Sequence, residues 1–372
     1  MKNKIHKYDF LVVGAGIIGA LTALELIQKK FKVLVIEKSK KTFRDKRTLA
    51  VNANSREFLC SLNLWKGLSN EPIKKIIIRD EINNSPLNFE NSKEHMGSVV
   101  YNKDLLIKAR RELLKKKSLI ENINIDIEKI KPNSLMKIKN QYYSFDKIIL
   151  SVGKNHSKSA ILKKNEFKSN HTSLVGFFKH SINHNNKAYE LFTKMGPLAV
   201  LPAPSSNKKF STFIYSSKDP IQNKDLKKII KKFFFQTHGQ IYFIDDFKYF
   251  KIAPHLTIST NKNTFLVGDS LRSIHPVAGQ GWNLGIKDIQ TLSSLIDQYG
   301  INDENLYSVY FSRRKIESSA YLSFTNFLNS LYENDDKKIN KLIIKMGFHS
   351  LLKLAPIRRI FIEQAMGRVS LI

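Results

Sequence analysis

Gly14, Gly16 and Gly19 follow an apolar run, YDFLVV at 8–13, and open a helix-like stretch, ALTALELIQKK. A second apolar run, FKVLVIEK at 31–38, ends on Glu37. Strand, Gly-x-Gly-x-x-Gly, helix, strand and acidic residue, in that order, make the fingerprint of a dinucleotide site. Each position has a mechanical reason. Gly14 permits the tight turn, Gly16 lets a pyrophosphate approach the backbone, and Gly19 lets helix and strand pack closely. Glu37 is placed to accept hydrogen bonds from a ribose.

The second concentration of chemistry is 264–285, TFLVGDSLRSIHPVAGQGWNLG. Thr264 to Val267 read as a strand that ends at Gly268 and Asp269. His275 and Pro276 lie in the loop that follows. Gly279, Gln280 and Gly281 then strip side chains from the backbone where a helix begins, with Asn283 in its first turn. Such a start offers unpaired N–H groups and the positive end of a helix dipole. It suits something anionic, or something flat and electron-rich. Alone, the stretch also reads as an ordinary strand–turn–helix. Two glycine-rich segments far apart in the chain point to one long ligand held at both ends, and FAD has that shape.

The elements that position these residues follow from pattern. The segment TLAVNANSREFLCSLNLW after Arg47 reads as a helix closed by Trp65 and Gly67. Residues 73–79 and 98–101 read as strands, and 103–117 as a helix. Strands are expected near 119–130 and 134–139, and FDKIILSVG reads as a parallel strand. From 171 to 217 strand-like alternation with polar breaks suggests an inserted antiparallel sheet. Helix 223–236 and the segment IYFIDDFKYFKI follow. The chain is helical after 300, at 303–330, 336–353 and 356–366. The expected division is a nucleotide domain at 1–170, with 73–101 contributing to the substrate side, and a substrate-binding sheet at 171–255. The nucleotide domain then resumes at 256–300, and C-terminal helices fill 301–372.

Bulk properties bound the answer. The chain has 372 residues and is 42% hydrophobic, which is enough for a substantial core. Its single cysteine, Cys60, excludes an internal disulfide and fits a reducing cytosol. The net charge of +30 comes from lysines scattered through the whole chain, in keeping with a composition biased toward Lys, Asn, Ile and Phe. It is read as a general attraction to anionic lipid and not as a nucleic-acid surface. The basic-then-apolar start mimics a signal peptide, but Asp9 and the glycines argue against one. No apolar run is long enough for a membrane span, and the histidines offer no metal-ligand spacing.

These blocks carry a resemblance. DFLVVGAGIIGALTALEL with Glu37, RTLAVNANSREFL, YELFTKMGPLAVLP, FLVGDSLRSIHPVAGQGWNLGIKDIQTL and LAPIRRIFIEQAMG together resemble the ubiquinone-biosynthesis hydroxylases. These are FAD-dependent aromatic monooxygenases of the p-hydroxybenzoate hydroxylase type. The resemblance implies an α/β architecture: a Rossmann-like FAD-binding domain, an inserted antiparallel-sheet substrate domain and a helical C-terminus. It implies FAD, NAD(P)H as reductant, O2, and a polyprenylated phenol or quinone precursor hydroxylated through a flavin hydroperoxide. Gly14, Gly16, Gly19 and Glu37 would bind the ADP half. Arg47 matches an arginine near the flavin, Asp269 would bond the ribityl chain, and Pro276 would lie over the rings. Gly279 to Asn283 would face the pyrimidine edge, whose reduced form is anionic and welcomes helix N–H groups. His275 has a catalytic reading, proton acceptor from a phenol, and a structural one, partner of loop carbonyls. A polyprenyl tail implies a cytoplasmic enzyme that visits the inner face of the membrane, beside other quinone-biosynthesis proteins. The basic, apolar helices near the C-terminus are compatible with that contact.

The chain also departs from the family. An Asp-Gly motif is expected after the strand at 145–152, and here the sequence is LSVGKNHSKSAIL. Lys154 offers a substitute positive charge. GDAAH becomes Gly268-Asp269-Ser270-Leu271-Arg272. An active monooxygenase and a catalytically weak scaffold of a quinone-biosynthesis complex are therefore both readings of this sequence.

Overall fold

The computed structural model describes residues 5–38, 47–83, 85–154, 161–167, 171–218, 221–274, 280–334 and 337–368. Its frame is a parallel sheet in the order Thr264–Leu266, Gln141–Leu150, Ile5–Val13, Val33–Glu37, Leu119–Glu121. Parallel register puts Val13 beside both Leu150 and Ile36, and Leu150 beside Leu266, so these strands all end along one edge. The first strand shows why its run is continuously apolar. Phe10 and Val12 enter one core, with the helices Ile17–Gln28 and Gln280–Tyr299. Leu11 and Val13 enter a second core on the opposite face. A strand buried on both faces has no polar side to alternate with.

A seven-stranded sheet lies beside this unit, in the order Ile241–Lys251, Thr172–His180, Phe210–Ser217, Gly196–Pro202, Lys187–Thr193, Lys75–Asp80, Leu87–Glu90. All its pairings are antiparallel except that of Lys187–Thr193 with Lys75–Asp80. Helix Asn223–His238 covers one face through Leu226, Ile230 and Phe234. The α/β architecture with an antiparallel sheet and a helical C-terminus is thus as the sequence implies.

Two local expectations are corrected. The helix expected from Thr48 begins at Ala53, because Thr48–Asn52 pairs as a strand with Gly97–Tyr101. Asn52 is the switch: its side chain accepts from the Ser55 N–H at 2.9 Å and caps the helix. The strand expected over 119–130 shortens to Leu119–Glu121, with a single 3-10 turn at Ile127–Lys129 capped by Asp126. After 300 the helices are Leu306–Glu333, Lys338–Lys353 and Ala355–Ala365, the last with Pro356 in its first turn.

Candidate functional site

The site forms where the parallel strands end. Gly14 has φ +98°, and a Cβ there would lie 2.3 Å from the Ser151 carbonyl oxygen. A Cβ on Gly19 would lie 2.0 Å from the Gly14 carbonyl oxygen. Both glycines are therefore required by the fold itself. Gly16 is different. It sits at the N-cap of Ile17–Gln28 with φ −63° and ψ 176°, an extended conformation open to any residue. A Cβ there would meet nothing within 4 Å. The space in front of Gly16 is open, and the helix behind it starts with no side-chain cap.

The second glycine segment reaches the same place. Gly268 has φ +59°, and a Cβ on it would touch Ile18 at 3.2 Å. A Cβ on Gly285, in the helix Gln280–Tyr299, would touch Ile18 at 2.7 Å. Ile18 is thus the point where the two motifs converge. The loop after Leu150 joins them, because the Val152 and Gly153 N–H groups donate to Ser270 Oγ at 2.7 and 3.1 Å.

Asp269 carries exposed surface although protein groups crowd round it. Removal from water pushes its carboxyl above the usual carboxylate range, while the charges of Lys154, Arg272 and Arg47 oppose that rise. Arg47 and Asp269 are therefore brought together. Arg47 is exposed, with its guanidinium 5.2 Å from the Phe250 ring centroid. Lys154 donates to the Lys251 carbonyl at 2.6 Å. Both cations thus touch Ile241–Lys251, the edge strand of the seven-stranded sheet.

Glu37 and Asn283 sit differently from what their motifs suggest. Glu37 is buried, and its Oε2 accepts from the Ala15 N–H at 2.7 Å and pairs with Arg110 at 3.2 Å. Arg110 Nε also donates to the Ala15 carbonyl at 2.8 Å. The carboxylate and Arg110 together hold the glycine turn. Asn283 donates to the Ala50 carbonyl at 2.9 Å and accepts from the Asn52 N–H at 3.1 Å. Its side chain fastens the second helix to the strand Thr48–Asn52. Gln280 and Gly281 lie half-buried at the start of that helix, and a Cβ on Gly281 would meet only Ile274, at 3.9 Å. His275, Pro276 and Gly279 lie outside the described residues.

Beneath the site lies a charge network the motifs did not announce. Asp288 is fully buried and accepts from the Gly268 N–H at 2.8 Å, from Arg272 at 2.7 Å and from Arg314 at 2.7 Å. Arg272 also donates to the Leu284 carbonyl at 2.7 Å. Arg314 continues to Glu317, which pairs with Lys287 at 3.0 Å. The altered turn, ending in Arg272, is therefore wired into the helix it precedes. One signal could have revealed this network, and a like one the Glu37–Arg110 pair. Asp288 stands on the apolar stripe of its helix between Leu284 and Leu292, and Arg110 stands among Leu106, Ala109 and Leu113. A charge on a core-facing stripe needs a buried partner.

The residues present fit FAD. Gly16 leaves room for a pyrophosphate before a bare helix N-terminus, Asp269 stands accessible in a crowded cleft, and Gly281 leaves the second helix start uncovered. Comparisons with known proteins agree. The chain matches the family described as "FAD binding domain" over residues 7–144 and 184–324. Ubiquinone hydroxylase UbiL of Rhodospirillum rubrum is 23% identical, over 98% of this chain and 90% of that protein. The mitochondrial ubiquinone biosynthesis monooxygenase COQ6 of Dictyostelium discoideum is 22% identical, over 98% and 92%. Among solved structures, p-nitrophenol 4-monooxygenase PnpA of Pseudomonas putida superposes with a TM-score of 0.74 at 13% identity, covering 98% of this chain and 99% of that one.

Proposed function

The chain belongs to the FAD binding domain family and is an FAD-dependent aromatic hydroxylase, and from that premise we propose that it hydroxylates the ring of a polyprenylated phenol in ubiquinone biosynthesis. NAD(P)H is the reductant and O2 the oxygen source. The observation that carries the reading is the convergence of two glycine-rich segments on Ile18, with open space at Gly16. The relatives named ubiquinone hydroxylase and COQ6, matched over nearly their whole length, support the substrate class.

In this reading Gly14, Gly16 and Gly19 hold the ADP half, with Glu37 fixing their turn through the Ala15 N–H, and Gly268 and Asp269 the ribityl chain. Gly279, Gln280 and Gly281 would face the pyrimidine edge, with Asn283 holding their helix in place through Ala50 and Asn52. Bound FAD supplies the activation of oxygen, which amino-acid side chains cannot perform. The protein's own share is to bind, orient and exclude water. N–H groups at the start of Gln280–Tyr299 favour negative charge beside them. Arg47 adds a positive charge at the mouth of the cleft, and Pro276 bounds the ring site. His275 keeps both readings, proton acceptor from a phenol or structural partner in its loop, and turnover by the His275→Ala variant with flavin still bound decides between them. A ring with a polyprenyl tail resides in a bilayer, so the enzyme works at the inner face of a membrane.

The test is the visible spectrum of the purified protein, then acid release and identification of the chromophore, then oxidation of NADH and NADPH with prenylated phenols. FAD near one per chain and substrate-stimulated oxidation are expected. A flavin that no reductant reduces would instead favour the scaffold reading, to which the altered segment after Leu150 points.

A further inference from the structure

The helix Lys338–Lys353 is apolar on two sides. Ile344 and Phe348 are buried against the strand Leu87–Glu90 and its neighbours. Ile339, Leu342, Ile343 and Met346 form a second stripe, at the i, i+3, i+4, i+7 spacing of one helix face. That stripe is in solvent: Ile339 is 65% and Met346 61% exposed. The surface continues on the next helix, Ala355–Ala365, which has no buried residue and exposes Ile357 and Ile360. The Phe324–Phe361 ring contact joins that helix to Leu306–Glu333, where Phe324 and Phe327 are also exposed. Contiguous apolar surface of this kind marks an interaction site.

Charge says what covers it. Residues 337–368 carry eight Lys and Arg and one acid, Glu363. At 100° per residue, Lys338, Lys341 and Lys345 fall between the buried face and the exposed stripe. None of them, nor Arg358 and Arg359, makes an ion pair among the described residues. A second copy of the chain is a poor occupant, because an isologous contact would set this cationic patch against itself. A protein partner is disfavoured by composition, since lysine is depleted in the core of protein interfaces. Aliphatic residues flanked by lysines suit a headgroup layer, where the side chain buries its stem and leaves its ammonium with the phosphates.

We propose that Lys338–Lys353 and Ala355–Ala365 are a docking surface for an anionic lipid bilayer, lying in the plane of the interface with Ile339, Leu342, Ile343 and Met346 among the acyl chains. No helix among the described residues is long and apolar enough to cross a membrane, so the contact is peripheral. The inference rests on the proposed function only for its purpose, delivery of a tailed ring.

The test is flotation of the flavin-loaded full chain with phosphatidylcholine vesicles, with and without phosphatidylglycerol. Binding is expected to the anionic vesicles alone, and at least tenfold weaker in high salt. The double variant L342D/M346D should lose at least tenfold in binding while keeping its flavin absorbance and melting temperature. The pair K341Q/K345Q should bind with a shallower salt dependence. Absence of binding to anionic vesicles at low salt, or binding indifferent to L342D/M346D, would overturn the proposal. So would a wild-type dimer that L342D/M346D dissolves. Hydroxylation of a water-soluble, short-tailed phenol is measured in parallel. Wild type that hydroxylates but never floats sinks the surface and spares the function; wild type that floats but never hydroxylates does the reverse.

Discussion

Three glycines of one motif do different work at the scale of the single residue. Gly14 is required by the chain's own packing, whereas a Cβ on Gly16 would meet nothing within 4 Å, the room that the proposed function gives to a pyrophosphate. Gly16→Ala therefore leaves the unfolding free energy of the flavin-free protein unchanged or raises it by about 0.4–1 kcal/mol, because Ala narrows the unfolded ensemble. The same change weakens FAD binding by about tenfold or more, since the added methyl occupies the approach to the pyrophosphate. Gly14→Ala does the opposite, destabilising by more than about 2 kcal/mol through its left-handed φ and the 2.3 Å approach to Ser151. Thermal melting with and without FAD separates the two. Equal loss of stability in both variants would mean that Gly16 serves only the fold.

Elements are held in place by buried polar groups. Asp288 ties the Gly268 turn, Arg272 and Arg314 to the site helix without contact with water. Asp288→Ala leaves two guanidinium groups buried without their shared counter-charge, at a cost of about 3–5 kcal/mol. Denaturant melts measure it, and a loss under about 1 kcal/mol would show that the network relaxes into water. Burial alone would raise the Glu317 carboxyl, but Arg314 and Lys287 hold it below the usual range. Its contribution is present above the ordinary Glu pKa and is lost as pH falls through the lowered value.

The seven-stranded sheet has a pH response of its own. His180, His184 and His238 cluster, with the His180 and His238 ring centroids 4.7 Å apart. Burial, then the neighbouring His180 and Lys208, pushes His184 down to about 4. Burial, then His180 and His184, pushes His238 down to about 3. Unfolded histidine titrates near ~6.5, so below that pH the unfolded chain binds protons that the native sheet refuses. Stability then falls with pH from about 6.5 toward 4, by ~1.4 kcal/mol per pH unit for each histidine. His238→Phe should remove one such proton from the slope of melting temperature against pH. An unchanged slope would show that the cluster does not carry the acid response.

Much of the whole molecule is legible in one sequence, for physical reasons. The parallel strands are apolar where both faces are covered, at Phe10–Val13, Val33–Ile36 and Ile148–Leu150, and Gly14 and Gly19 mark where backbone must approach backbone. Arg47 lies near enough to Asp269 for its charge to act on that carboxyl. What escapes is set by distant pairing. Thr48–Asn52 reads as helix until Gly97–Tyr101 claims it as a strand. Asn283 is near the ligand by motif, yet its side chain reaches back to Ala50 and Asn52, which no local pattern announces. The Arg272–Asp288–Arg314 network spans three elements, and only the misplaced charge on an apolar stripe hints at it.

An FAD-dependent aromatic hydroxylase moves oxygen from O2 onto an aromatic ring. The most direct measurement supplies the purified flavin-loaded protein with NAD(P)H, a prenylated phenol and isotopically labelled O2, and weighs the product. A ring hydroxyl carrying label from O2, formed in step with reductant consumed, is expected. A protein that binds FAD and consumes reductant, but leaves the ring unlabelled, would contradict it.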